Sequence, residues 1–97
     1  MLLKPGTDIS RIKPAIREKL DDINQIVYTP DEYEMVITST YEGNHRPGSL
    51  HYANLAIDIK NPKHPKKTID TLRKELGEDY DVVGELDHIH IEYDPKT

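Results

Sequence analysis

The fold of this chain is decided by a stretch that reads Ser49-Leu50-His51-Tyr52-Ala53-Asn54-Leu55-Ala56-Ile57-Asp58, together with a later one that reads Asp87-His88-Ile89-His90. Both stretches have the composition of strands or strand ends. Three of the five histidines of the chain lie in them. His51, Asp58 and His90 can offer two nitrogens and one oxygen to a metal ion, which leaves a fourth position for water, as hydrolytic zinc sites require.

Size and composition limit the chain to one modest core. We expect a single domain over residues 1–97, in which 35% hydrophobic and 32% charged residues leave a small apolar interior. A net charge of -5 argues against nucleic acid as the main partner, because phosphate binding needs a basic surface. Since the chain has no cysteine, any metal ion must be bound by histidine and carboxylate groups.

The N-terminal residues 1–6 contain no apolar run long enough for a signal peptide or a membrane span. We therefore expect a chain that is made in the cytoplasm without a signal peptide and does not insert into membranes. Activity outside the cell would then require another route of release.

The first predicted element is an amphipathic helix over residues 8–28, ended by residues 29–31. Asp8 or Ser10 could cap it, whereas Pro14 would fit better if the regular helix began at this proline. Its apolar residues recur at spacings of three and four, which is typical of one buried helix face. They are Ile9, Ile12, Ile16, Leu20, Ile23 and Ile26.

The remaining pattern predicts strands over residues 35–40 and 55–59, a second helix over 65–76, and a hairpin with strands over 80–83 and 88–93. This order predicts an α+β fold, with a small and largely antiparallel sheet that has helices on one face. Because side chains alternate along a strand, His88, His90 and Glu92 should face away from the helices. Asp58 should share that face, so the polar chemistry would lie opposite the core.

The motif Ser49-x-His51-x-x-Asn54-x-Ala56-x-Asp58, followed by His88-x-His90, resembles the zinc-binding pattern of M15 D-Ala-D-Ala carboxypeptidases and the Hedgehog-like fold. The family pattern is Ser-x-His-x-x-Gly-x-Ala-x-Asp, then an acidic residue before a His or His-x-His. Four of the five marked positions of the first motif match. The resemblance covers about residues 35–93, and the residues before the first motif are similar to those of small phage-encoded members.

Asn54 stands where the family has glycine. Asparagine tolerates the left-handed backbone conformation better than most residues. We therefore expect the turn at this position to be kept.

The resemblance implies that His51, Asp58 and His90 bind Zn²⁺. Asp87 is the first candidate for the general base, because an acid-x-x-His pattern ending at a metal ligand is found in similar peptidases. Glu85 is the second candidate, since the same spacing also links it to His88.

Three further residues receive roles by the same resemblance. His88 would orient water or stabilise an oxyanion. In similar carboxypeptidases an arginine binds the terminal carboxylate of the substrate, and Arg46 is the candidate here. Ser49 is expected to hold the His51 loop at the substrate-binding side rather than act as a nucleophile.

The sequence thus predicts a zinc metallopeptidase, an M15-like carboxypeptidase or endopeptidase, that hydrolyses the peptides of bacterial cell-wall peptidoglycan. A bacteriophage or a bacterium would be its source. An alternative is a non-catalytic structural or binding module that zinc stabilises, for example in a phage virion. A metal-free α+β domain is the third interpretation.

Overall fold

The computed structural model describes residues 1–41 and 53–95. Within these ranges the helices are α1 (Pro14–Arg17), α2 (Leu20–Asp31) and α3 (Pro65–Leu76), and the strands are β1 (Leu2–Leu3), β2 (Val36–Ser39), β3 (Ala56–Lys60), β4 (Tyr80–Gly84) and β5 (His88–Tyr93). The predicted second helix and the four predicted strands are confirmed to within one residue at each end. Among the described helices, none has the length and apolar character needed to cross a membrane.

The five strands form one sheet in the order β1-β2-β3-β5-β4. Only the pairing of β1 with β2 is parallel, and the other three neighbouring pairs are antiparallel. This confirms a mixed α+β fold with a largely antiparallel sheet. β3 and β5 lie side by side in the sheet, with Asp58 directly opposite His90 and Ile57 directly opposite Ile91.

The buried apolar residues form one cluster between the helices and the sheet. Its sheet side consists of Ile37, Ile57, Ile59, Val82, Ile89 and Ile91. Its helix side includes Ile16, Leu20, Ile23, Val27, Leu72 and Leu76. Because strand side chains alternate between faces, the residues next to each core isoleucine of β3 and β5 lie on the opposite face of the sheet.

The first helix begins at Pro14, which confirms the alternative start at this proline and not the start near Asp8. Proline is favoured in the first turn of a helix, where its missing N–H would have no intrahelical partner. The Asp8 carboxylate accepts a hydrogen bond from the Ser10 backbone N–H at 2.8 Å. These two residues therefore form a local turn and do not cap the helix.

The prediction of one continuous helix over residues 8–28 is also wrong at its centre and its end. The chain tightens between α1 and α2, where the Lys19 N–H donates to the carbonyl of Ile16, three residues earlier, at 3.0 Å. α2 then continues through Pro30 and ends at Asp31, and the C-cap residue Glu32 has a left-handed φ of 53°. A proline this close to the end removes one backbone hydrogen bond without stopping the helix.

Strand β1 was not predicted. It is two residues long and pairs through the Leu2 N–H, which donates to the Met35 carbonyl at 2.8 Å, and the Lys4 N–H, which donates to the Ile37 carbonyl at 2.9 Å. A strand of this length is too short to show an alternating pattern, so periodicity could not reveal it.

The packing of β3 against the helices predicts a large cost for Ile57→Ala. Its side chain is fully buried, so the substitution should lower the free energy of unfolding by about 2–5 kcal/mol. Leu86→Ala is the matched control, because Leu86 is 99% exposed and its truncation should change stability by at most about 0.5 kcal/mol. Urea unfolding of the three proteins measures this. Equal losses in both variants would contradict the described core.

Candidate functional site

The polar face of the sheet and the turn before β5, which contains Asp87, bring four of the predicted site residues together. Asp58 comes from β3, and His88 and His90 come from β5. The predicted ligand His51 and the predicted substrate-binding residues Arg46 and Ser49 lie outside the described residues.

Carboxylates and imidazoles alternate along this face. Asp58 Oδ1 lies 3.0 Å from His90 Nδ1, and His90 Nε2 lies 2.6 Å from Glu92 Oε1. On the other side, Asp58 Oδ2 lies 3.7 Å from His88 Nε2, and His88 Nδ1 lies 2.7 Å from Asp87 Oδ1. We call these five residues the carboxylate–imidazole row. In order along the row they are Asp87, His88, Asp58, His90 and Glu92.

Strand geometry builds the row. His88, His90 and Glu92 alternate with two core isoleucines along β5, so all three project from the same face. The antiparallel register places Asp58 opposite His90 and the small Ala56 opposite Glu92. Because both strands are held by neighbours on either side, the backbone positions of the row are fixed by the sheet.

The two carboxylates beside His90 shift its pKa. Burial by itself acts to lower the pKa of His90, but its hydrogen bonds with Asp58 and Glu92 and their negative charges outweigh this, so the pKa is raised above its usual value. The two carboxylates therefore stabilise the imidazolium form of His90 when no metal ion is bound. A metal ion must displace this proton, so metal binding should strengthen as pH rises.

The two candidates for the general base differ in their surroundings. Asp87 lies in the turn before β5 with 86% of its side chain exposed. Its hydrogen bond with His88 and the charge of that imidazole lower the pKa of Asp87, which keeps this carboxylate ionised. Glu85 is placed by its backbone N–H, which donates to the His88 carbonyl at 2.9 Å. Of the two, it is the Asp87 carboxylate that contacts the His88 ring.

The turn before β3 has the backbone conformation expected of it. Asn54 has a φ of 61°, in the left-handed region, which confirms the expected backbone conformation at this position. The Asn54 carbonyl accepts a hydrogen bond from the Lys13 N–H at 2.9 Å. This contact ties the turn to the start of α1 and fixes the point at which β3 begins.

A second cluster of carboxylates was not recognised in the sequence. Asp81, Glu92 and Asp94 have carboxylate oxygens within 4.8 Å of one another, and this group could hold a metal ion. Asp81 lies directly opposite Glu92 across the β4–β5 pair. The strand register brings these two residues together. A prediction of which residues pair in the β4–β5 hairpin could therefore have found them in the sequence.

A groove of about 470 Å³ lies on the helix side of the molecule, between α2 and α3. Ile26, Pro30 and Leu76 contribute its apolar lining, and the described residues that line it include no histidine. The carboxylates of Asp22 and Glu75 line this groove, but without a histidine its described lining does not fit the predicted site of two imidazoles and one carboxylate. We therefore place the candidate site on the polar sheet face.

Comparisons with known proteins give no family assignment. No protein-family model matches the chain, and neither the curated proteins nor the solved structures show a match. The resemblance to M15 peptidases therefore stays a prediction based on the motif, and the site must be argued from its own geometry.

Substitution of Asn54 tests whether its turn requires a left-handed residue. Asn54→Ala should lower the free energy of unfolding by about 1–2 kcal/mol, because a Cβ without a local polar group is disfavoured at positive φ. Asn54→Gly is the matched variant and should retain stability, since glycine adopts this conformation freely. Thermal and urea unfolding measure both. A glycine variant that is as unstable as the alanine variant would contradict this explanation.

The raised pKa of His90 predicts how the stability of the metal-free chain depends on pH. The folded state holds this proton more tightly than the unfolded state, so the stabilisation is fully present below about pH 6.5, the ordinary pKa of histidine. It is lost as pH rises through the raised pKa. Urea unfolding in the presence of a chelator should show this fall. The His90→Gln variant should lack it, and parallel profiles would contradict the assignment.

Proposed function

We propose that this chain is a zinc metallopeptidase with an M15-type, Hedgehog/DD-peptidase-like fold, which hydrolyses peptide bonds in bacterial cell-wall peptides. One observation carries the proposal. Asp58 and His90, which the motif assigns as metal ligands, lie 3.0 Å apart on the polar face of the sheet although 32 residues separate them in the chain.

The donor atoms suit zinc. Carboxylate oxygen and imidazole nitrogen both bind this ion at about 2.0–2.2 Å, so two such ligands of a tetrahedral site are roughly 3.3 Å apart. The 3.0 Å between Asp58 Oδ1 and His90 Nδ1 is close to that separation. His51 is proposed as the third ligand from the motif alone.

When bound, zinc would supply Lewis-acid chemistry, polarising the scissile carbonyl and acidifying a water molecule. The chain would supply proton transfer and orientation. Asp87 is proposed as the proton acceptor because its carboxylate is kept ionised and contacts the His88 ring at 2.7 Å. His88, held between Asp87 and Asp58, would donate to the developing oxyanion.

The substrate assignment rests on the family resemblance. Arg46 and Ser49 are proposed to bind the peptide, with the guanidinium contacting a terminal carboxylate. A peptidoglycan peptide is the proposed substrate, and a bacteriophage or bacterium the proposed source, because small phage-encoded members have a similar motif.

A second candidate function is a zinc-stabilised structural or binding module without catalysis. The exposure of Asp87 favours it, since a carboxylate that is 86% exposed and has a lowered pKa is a weak base. In such a module the ligands would be kept and the proton acceptor would have no role.

Zinc content and hydrolysis of peptidoglycan fragments test the proposed function. The wild type should contain stoichiometric zinc and hydrolyse the fragments, and His51→Ala should lose both. Asp87→Ala should keep zinc while its rate falls by about 10²–10⁴-fold, the usual contribution of a general base. His64→Ala is the control, because His64 lies at the start of α3 and should retain both properties.

The outcomes separate the two candidates. Zinc in the wild type without turnover of any wall peptide, together with a lower melting temperature after zinc removal, would select the structural module. A wild type that has neither zinc nor activity would contradict both.

A further inference from the structure

Carboxylates approach the His90 ring from both of its nitrogens. Nδ1 faces Asp58 at 3.0 Å, and Nε2 faces Glu92 at 2.6 Å. A neutral imidazole can give only one nitrogen to a metal ion, and the other then carries a proton. Histidine ligands almost always donate this remaining N–H to a carboxylate, a backbone carbonyl or water, which fixes the tautomer and the ring orientation.

We propose that Glu92 is a positioning residue that accepts the Nε2–H of His90 and thereby commits Nδ1 to the metal ion. This inference rests on the proposed zinc site. It assigns a role to a residue outside the motif and specifies which nitrogen binds.

The strand makes Glu92 a well-placed acceptor. It follows His90 by two residues on β5, so both side chains project from the same face. The side chains are 17% exposed for His90 and 21% exposed for Glu92, so water competes only weakly for their hydrogen bond. Pairing with Ala56 on one side and Asp81 on the other holds the Glu92 backbone in the interior of the sheet.

The neighbouring charges favour the same tautomer. Asp81 and Asp94 place two more carboxylates beside Glu92, within 4.8 Å. Negative charge on the Nε2 side favours a proton on that nitrogen. Nδ1 then carries no proton and can bind the metal ion together with the neighbouring Asp58 carboxylate.

The opposite arrangement makes different predictions. In it, Nε2 and Glu92 would both bind the ion, with Asp81 or Asp94 completing the site. Substitution of these aspartates would then weaken metal binding as much as substitution of Glu92. If Glu92 is a positioning residue, Asp81→Asn and Asp94→Asn should bind zinc about as tightly as the wild type.

Zinc affinity, measured by competition with a chromophoric chelator, provides the first test. Glu92→Ala should weaken binding by about 10–100-fold, the usual effect of removing such a partner. Glu92→Gln should recover part of this loss, because its amide oxygen still accepts the Nε2–H. Circular dichroism of the metal-free variants checks that each is folded. If Glu92→Ala does not fold, the zinc affinity of Glu92→Gln and the NMR spectrum of the wild type test the proposal.

Nitrogen NMR of the zinc-loaded wild type, labelled with ¹⁵N-histidine, provides the second test. The expected signature for His90 is a metal-bound Nδ1 and a protonated Nε2. A metal-bound Nε2, wild-type affinity in Glu92→Ala, equal losses in Asp81→Asn, or a wild type that binds no zinc would each overturn the assignment.

Hydrolysis is measured separately on the same proteins. A chain that binds zinc through Nδ1 but hydrolyses no wall peptide would contradict the proposed peptidase activity and leave the role of Glu92 intact.

Discussion

The antiparallel pairing of β3 with β5 is the constraint on which the rest of this structure depends. It aligns the isoleucines of both strands toward the helices and places Asp58 opposite His90 on the other face. Because side chains alternate with a period of two, a slip of one residue would bury the polar residues and expose the isoleucines. The cost of exposing four fully buried isoleucines therefore fixes the register, and the register fixes the distance between the two candidate ligands.

The same face concentrates charge that would be unfavourable if it were unpaired. Asp58 is buried and His90 is largely so, and burial of isolated charges costs several kcal/mol. In the carboxylate–imidazole row the Asp58 carboxylate and the His90 imidazole are hydrogen-bond partners, and His90 has a second partner in Glu92. The row therefore gives the buried polar groups of this face hydrogen-bond partners when no ion is present. It also holds Asp58 Oδ1 and His90 Nδ1 at a separation close to that of two ligands of one metal ion.

The division between the two faces explains why the chemistry and the stability of this small domain can be separated. The helices contact the isoleucine face, and the row lies on the other side of the same strands. Side chains of the row can therefore change without opening a cavity in the core. Their backbone positions stay fixed because they share the strands that the core stabilises.

By itself, the sequence determined the local elements and the faces of the strands. Pro65 and Gly77 bound α3, and alternating isoleucines marked β5, because capping, proline geometry and side-chain alternation act over a few residues. The tertiary structure decided the break between α1 and α2, strand β1 and the contact of Glu92 with His90. It also decided the cluster of Asp81, Glu92 and Asp94. They depend on packing and on strand register, which join residues far apart in the chain and leave no local pattern.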